Sequence, residues 1–335
     1  MKLSTICLFV LFFTQSFVAA QELPLENSQS TSSSAPGPGE RATDLSSRER
    51  TQRAAALETD GQQLLYTEKK PEEAHERFLE AAEMGNARAQ YMLGIIYAEG
   101  LTGEKDIRKA KGYFRIAAKN KCTGFDVGPN VALGCLELED GNTKDALKLF
   151  DNGLAQSLER HDLLARKNSL KHIVLSLAHH GHLETLEKYM ISLAGLEGSL
   201  PKKEVLDIAE VNLQVGWVFS LKSNETRGDV KIRTELKEAI WYFSQALRLF
   251  KKCLKGENHE HIARTLDALG SAEVKMSGVT WTHRPTYRRY KVGGADKCEC
   301  AYNIYRNLLG EHHETTKEIR KYVTEIALQI EREGL

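Results

Sequence analysis

Four short stretches carry residue types able to do chemistry. In Ala178-His179-His180-Gly181-His182, three imidazoles fall within four positions. A zinc site on a helix needs its histidines one turn apart on one face, with a carboxylate or thiolate close by. Here the three side chains point different ways around a helix end at Gly181, where histidine suits the negative pole of the helix dipole. Metal binding, or an enzyme built on His179, His180 and His182, is therefore the alternative of another class. Cys298-Glu299-Cys300 lacks the two-residue spacing of a redox pair and any strand-to-helix context for one. Thr282 to Lys291, "THRPTYRRYK", gathers Arg284, Tyr287, Arg288, Arg289 and Tyr290, residue types that anchor protein interfaces. Acidic partners, peptide or glycan, fit it best; the opposing reading is a variable solvated loop. Asn224-Glu225-Thr226 is an N-x-S/T sequon in a polar stretch between helices, a candidate glycosylation site. No Gly-x-Ser-x-Gly, phosphate-cradling glycine loop, HExxH or distinctive carboxylate pair occurs, so neither catalysis nor a cofactor is expected.

The termini and composition say where such residues would work. The chain opens with Lys2, an apolar run from Ile6 to Phe13, then small residues at Val18 and Ala20, the pattern of a cleavable secretory signal. Thr14, Gln15 and Ser16 interrupt the run well short of the roughly 20 apolar residues a membrane span needs. Residues 1–20 are read as a signal peptide, and residues 21–45 as a disordered Ser/Pro/Gly-rich tail. The C-terminal EREGL is not a KDEL-type retention signal, so secretion is expected, with the endoplasmic-reticulum lumen as the alternative. With 46 basic and 46 acidic residues there is no excess positive charge for phosphates, which excludes nucleic acid as a partner. Once Cys7 leaves with the signal, five cysteines remain; Cys122 and Cys135 are the candidate disulfide, because an antiparallel hairpin brings the loop holding Cys122 back over the helix holding Cys135.

The elements that must position these residues are helices, and they repeat. Ala74, Ala110 and Ala146 are 36 residues apart, and each is followed four residues later by a phenylalanine: Phe78, Phe114 and Phe150. Two helices fit in each period. "NARAQYMLGIIYAEG" is a second helix with Asn86 to start it and Gly100 to end it, and "NVALGCLELEDG" is its echo. Glycine inside a helix costs roughly 1 kcal/mol relative to alanine. Gly94 and Gly134 occupy matched positions despite this, so a side chain there should collide with the neighbouring helix.

Asn86, Ala89, Tyr91, Leu93, Gly94, Tyr97, Gly100, Asp106, Lys109, Ala110, Tyr113, Phe114, Ala117 and Ala118 together resemble the Sel-one-like repeat, a branch of the tetratricopeptide superfamily. The likeness is specific over this stretch and weaker over residues 72–155; the second copy departs from it, with Glu137 where Tyr97 aligns. Residues 236–333 are similar to the repeats of kinesin light chains, whose helices are separated by a Gly-acidic-polar-His turn. Gly256-Glu257-Asn258-His259 and Gly310-Glu311-His312-His313 are two such turns, further apart than one repeat. The excess falls on an expected inserted loop, 279–297.

The fold expected is thus an all-α α-solenoid: Sel-one-like and degenerate repeats over 46–221, tetratricopeptide-like repeats over 222–335. Each unit buries its apolar face only against its neighbours, leaving extended surface for recognition. A secreted or secretory-pathway scaffold that binds a protein partner is the function expected. The resemblance adds the alternative of a luminal adaptor in protein quality control.

Overall fold

The computed structural model describes residues 46–122, 127–280 and 282–335, so the expected signal and tail lie outside the described residues. Among them are thirteen α-helices, one 3₁₀ turn and no strand. No described helix is long and apolar enough to cross a membrane. The described residues divide into two compact units, one ending at Ser169 and the other spanning Leu170–Leu335.

The first unit holds α1 (Ser47–Tyr66), α2 (Pro71–Glu83), α3 (Ala87–Glu99), α4 (Ile107–Lys119), α5 (Pro129–Glu139) and α6 (Thr143–Glu159). Each packs against the next. Helix α7 (Leu163–His179) carries the boundary between units. The second unit continues with α8 (Leu183–Ala194), the 3₁₀ turn Glu197–Ser199, α9 (Lys202–Glu225), α10 (Asp229–Cys253), α11 (Glu260–Val279), α12 (Arg284–Leu309) and α13 (Glu314–Arg332). From α9 to α13 each helix again packs on its successor. Both units are therefore runs of α-solenoid helix pairs.

One contact recurs at four junctions between a helix and its successor. A Cβ built on Gly94 of α3 would stand 2.4 Å from Phe114 Cε1 of α4; on Gly134 of α5, 2.6 Å from Phe150 Cε1 of α6. The same contact joins Gly61 to Phe78 at 2.8 Å and Gly216 to Phe243 at 2.6 Å. Each phenylalanine is buried, with a buried alanine four residues before it and a buried Ala or Gly three after. The ring lies on bare backbone, as the matched glycines suggested. Between α11 and α12 the device changes: a Cβ on Gly270 would meet Cys298 Sγ at 2.5 Å and Gly294 O at 2.6 Å. Cysteine and glycine here replace phenylalanine and alanine, and the two backbones approach each other directly.

Three residues after the seam glycine comes a second recurring contact, with the residue just before the seam Phe or Cys. Tyr97 stacks on Tyr113 with centroids 5.6 Å apart, and Phe219 stacks on Tyr242 at 5.6 Å. In the last pair this contact becomes ionic, Lys297 Nζ donating to Glu273 Oε2 at 2.7 Å. Glu137 departs from the pattern by turning to α4: Lys111 Nζ reaches its Oε2 at 2.9 Å and Arg115 its Oε1 at 2.9 Å, while Asn142 Nδ2 donates to Oε2 at 2.9 Å. Burial pushes the Glu137 carboxyl up, but the Asn142 bond and these two cations together outweigh it and hold it below the usual range. A carboxylate thus stands where the first copy has an aromatic ring, because the preceding helix supplies its counter-charges.

The Gly-acidic-polar-His turns form as expected. Gly256 and Gly310 take φ of +85° and +86°, a region open to glycine. His259 and His313 then cap α11 and α13, their Nδ1 atoms accepting from His261 N and Thr315 N at 3.3 Å each. The inserted loop expected over 279–297 is corrected: the chain is helical from Arg284 to Leu309. His283 caps this helix by accepting from Thr286 N, Pro285 sits in its first turn, and Gly294 lets α11 approach, since a Cβ there would stand 2.7 Å from Gly270 O.

Candidate protein-interaction groove

A groove of about 810 Å³ opens in the second unit, lined by α8, Glu197, α9 and α10. Ile208, Phe219, Tyr242 and Leu249, all buried, form its floor. Two large apolar side chains on its walls remain open to solvent, Ile191 (66% exposed) and Trp241 (52%). The Trp241 ring meets Tyr242 edge to face, centroids 4.8 Å apart at 85°, and is held upright by it.

Charge is unevenly spread along the groove. At one end Arg248 grips Glu197 with both terminal guanidinium nitrogens, at 3.1 and 2.8 Å, and Lys252 Nζ donates to the same carboxylate at 2.8 Å. These bonds hold the Glu197 carboxyl down to about 2. At the other end lie Glu184 and Glu187 of α8 and Glu238 of α10, with Lys237 beside them. Burial first, then Glu238 and Glu187, push the Tyr242 hydroxyl up to about 12.

The residues singled out from sequence are placed elsewhere. Arg284, Tyr287, Arg288, Arg289 and Tyr290 occupy the first two turns of α12, and none lines the groove. Tyr287 donates from its hydroxyl to Glu333, and Lys291 Nζ donates to Gln329 Oε1 at 2.7 Å, so part of this stretch fastens α12 to the C-terminal helix. Arg284, Arg288 and Arg289 stay exposed. Asn224 lies in the last turn of α9, exposed, its Oδ1 accepting from Lys275 Nζ at 3.3 Å. His179 ends α7 edge to face with His180, whose Nδ1 is 2.8 Å from Ser176 O. Among the described residues no group of three His, Cys, Asp or Glu is placed to hold a metal ion.

No disulfide joins Cys122 to Cys135 among the described residues. Cys122 packs in the core of the first unit with Ala132, Leu133 and Leu136 of α5. Cys253, Cys298 and Cys300 are free as well.

The groove residues escaped motif reading, but one signal was present. In "EAIWYFSQAL" the buried stripe runs Ala239, Phe243, Ala246, and Trp241 falls off it. A tryptophan outside the apolar stripe of an amphipathic helix marks exposed apolar surface.

A family model, the Sel1 repeat, matches residues 87–122, the span of α3, α4 and the turn ending at Cys122. Residues 87–122 form a Sel1 repeat. Its two helices carry the Gly94–Phe114 contact and the Tyr97–Tyr113 stack described above. Among curated proteins none matches the chain. Of solved structures, a Sel1 repeat protein from Oxalobacter formigenes is 15% identical, with 91% of this chain and 99% of that one covered, at a TM-score of 0.31. The protective antigen c5321 of uropathogenic Escherichia coli, which displays an SLR fold, is 14% identical over 79% of this chain and 75% of its own, at a TM-score of 0.28. Scores this low bear neither on function nor on how the units are placed.

Proposed function

We propose that this chain is a non-enzymatic helical-repeat scaffold that binds a protein partner through the groove of α8, α9 and α10, and that it works in the secretory pathway, secreted or luminal. The observation that carries the reading is the pair Ile191 and Trp241, apolar side chains held open to solvent over a packed floor. Exposed aromatic and branched apolar residues at the centre of a concave surface are what hot spots are made of. The Sel1 repeat supports it as a protein-interaction module, and the signal-like N-terminus supports the compartment.

Site-specific photocrosslinking tests the reading: the full chain carries the photoreactive group at Gln245 in the groove or at Arg288 on α12. A discrete adduct from position 245 that disappears with Trp241→Ala is expected. Adducts from position 288 alone would move the binding face to α12. Pulse-chase with protease protection of microsomes reads the compartment, and a chain made outside the secretory route would overturn that half.

A further inference from the structure

The partner's chemistry follows from how the two groove walls are patterned. On α8, Glu184, Glu187, Ile191 and Ala194 fall at helical spacing on the groove face; on α10, Glu238, Trp241, Gln245 and Arg248 do the same. Glu197, just past the end of α8, bonds Arg248 and Lys252 near the end of α10. The late ends of the two helices therefore lie together, and their early ends, with the carboxylates, must also face each other. The groove thus runs from a neutralised end, through an apolar middle, to an acidic end.

Glu184, Glu187 and Glu238 are all exposed, and none makes an ion pair among the described residues. The groove cation beside them, Lys237, leaves an excess of negative charge. One turn of helix, about 5.4 Å, separates Glu187 from Ile191 and Glu238 from Trp241, and about two turns separate Glu184 from Ile191. In an extended peptide that distance is about two residues. The exposed Trp241 face also favours a cation lying over it.

We infer that the groove receives a cationic segment of a partner protein, with an apolar side chain seated between Ile191 and Trp241 and nearby Lys or Arg side chains reaching Glu184, Glu187 and Glu238. The inference rests on the groove being the protein-binding face, and names the kind of sequence it takes. A segment with Asp or Glu at those positions would set like charges against three carboxylates with little to neutralise them.

Two designed peptides test it on the full chain, sharing their leucines and differing only in carrying lysine or glutamate at the remaining positions. Labelled-peptide anisotropy is measured at about 0.05 M and 0.5 M NaCl, where the screening length differs severalfold. The lysine peptide should bind at least tenfold more tightly than the glutamate peptide at low salt. Combining Glu184→Gln, Glu187→Gln and Glu238→Gln should remove that preference and flatten the salt dependence, while Trp241→Ala should weaken the lysine peptide at both salts. All are exposed side chains, and the far-ultraviolet circular dichroism of each variant confirms its fold. Equal or tighter binding of the glutamate peptide that still responds to Trp241→Ala would overturn the charge inference and leave the groove standing. Lysine-peptide binding indifferent to the triple Gln variant would also overturn it. Binding of neither peptide, or binding that ignores both Trp241→Ala and Ile191→Ala, would remove the groove itself.

Discussion

Replacing Gly94 by alanine sets helix propensity against packing. Alanine is better than glycine in a helix interior by about 1 kcal/mol, so propensity alone makes the variant more stable. The new Cβ, however, would stand 2.4 Å from Phe114 Cε1, 2.5 Å from Cδ1 and 3.1 Å from Cζ. Relaxed carbon contacts lie at about 3.5–4.0 Å, so the ring must withdraw by roughly 1 Å. It has little room to do so: Phe114 is 1% exposed, its ring is 5.4 Å from that of Tyr91, and Ala110 and Ala117 beside it are fully buried. Overpacking of this kind costs about 1–3 kcal/mol, and two ring atoms closer than 3.0 Å place Gly94 near the top of that range. The net expectation is a loss of about 2 kcal/mol.

Gly112 supplies the matched control, since it sits inside α4 and an added Cβ would meet nothing within 4 Å. Gly112→Ala should gain about 1 kcal/mol, from propensity alone. Calorimetry of the chain reads both, and at about 2–4 °C per kcal/mol the Gly94 variant should melt its unit about 4–8 °C lower. Adding Phe114→Leu to Gly94→Ala should recover part of the loss, with a coupling of about 1–2 kcal/mol. If Gly94→Ala proves neutral, or stabilises as Gly112→Ala does, the seam does not depend on ring against backbone and the account of the glycines is wrong.

Glu137→Ala leaves the buried Lys111 ammonium with only Asp140, 2.7 Å away, and should cost about 2 kcal/mol by urea denaturation. Burial pushes the Asp267 carboxyl up to about 6, so the folded chain keeps a proton that the unfolded chain releases near pH 4. Stability from this residue therefore falls as pH rises from about 4 to 6, and Asp267→Asn should be about 1–3 kcal/mol more stable than the parent at pH 7.5 but no more stable at pH 4. Thiol titration should find Cys300, which is exposed, reacting first, while Cys122 and Cys298, buried and pushed up to about 12, react only on unfolding. In denaturant, without reductant, the five described cysteines should titrate as five thiols; three would restore a disulfide.

The seam in the first unit was legible because Ala and Phe recur at a fixed period there, and the glycines that receive the rings recur with them. It was less legible further on, where the distance from seam glycine to phenylalanine lengthens from 20 residues at Gly94 to 27 at Gly216. Between Gly270 and Cys298 no phenylalanine marks the contact at all. The same change hid the first half of α12: Gly293-Gly294, read locally, interrupts a helix, whereas the place of Gly294 against the α11 backbone makes glycine the residue required there. The acidic end of the groove was out of reach for a different reason. Glu187 and Glu238 are 51 residues apart, and only the parallel setting of α8 and α10 brings them to one opening.

The repeat also supplies its own test of whether Trp241 serves the fold. Aligned on the seam residues Phe78, Phe114, Phe150, Phe243 and Cys298, the position two residues earlier is Glu76, Gly112, Lys148, Trp241 and Asp296. In four of the five helices that position is charged or has no side chain, so the helix-pair architecture does not call for an apolar residue there. Trp241 is the exception, and it is half open to water, which is unfavourable for so large an apolar surface unless something covers it. Truncating it should therefore cost little stability, its edge-to-face contact with Tyr242 contributing about 0.5–1.5 kcal/mol, while truncating Phe243 two residues on should cost about 3–5 kcal/mol. Binding should respond in the opposite order, with Trp241→Ala losing the partner in a chain that melts nearly as the parent does. A Trp241→Ala variant destabilised as severely as Phe243→Ala would return the tryptophan to the core and take the groove's main anchor with it.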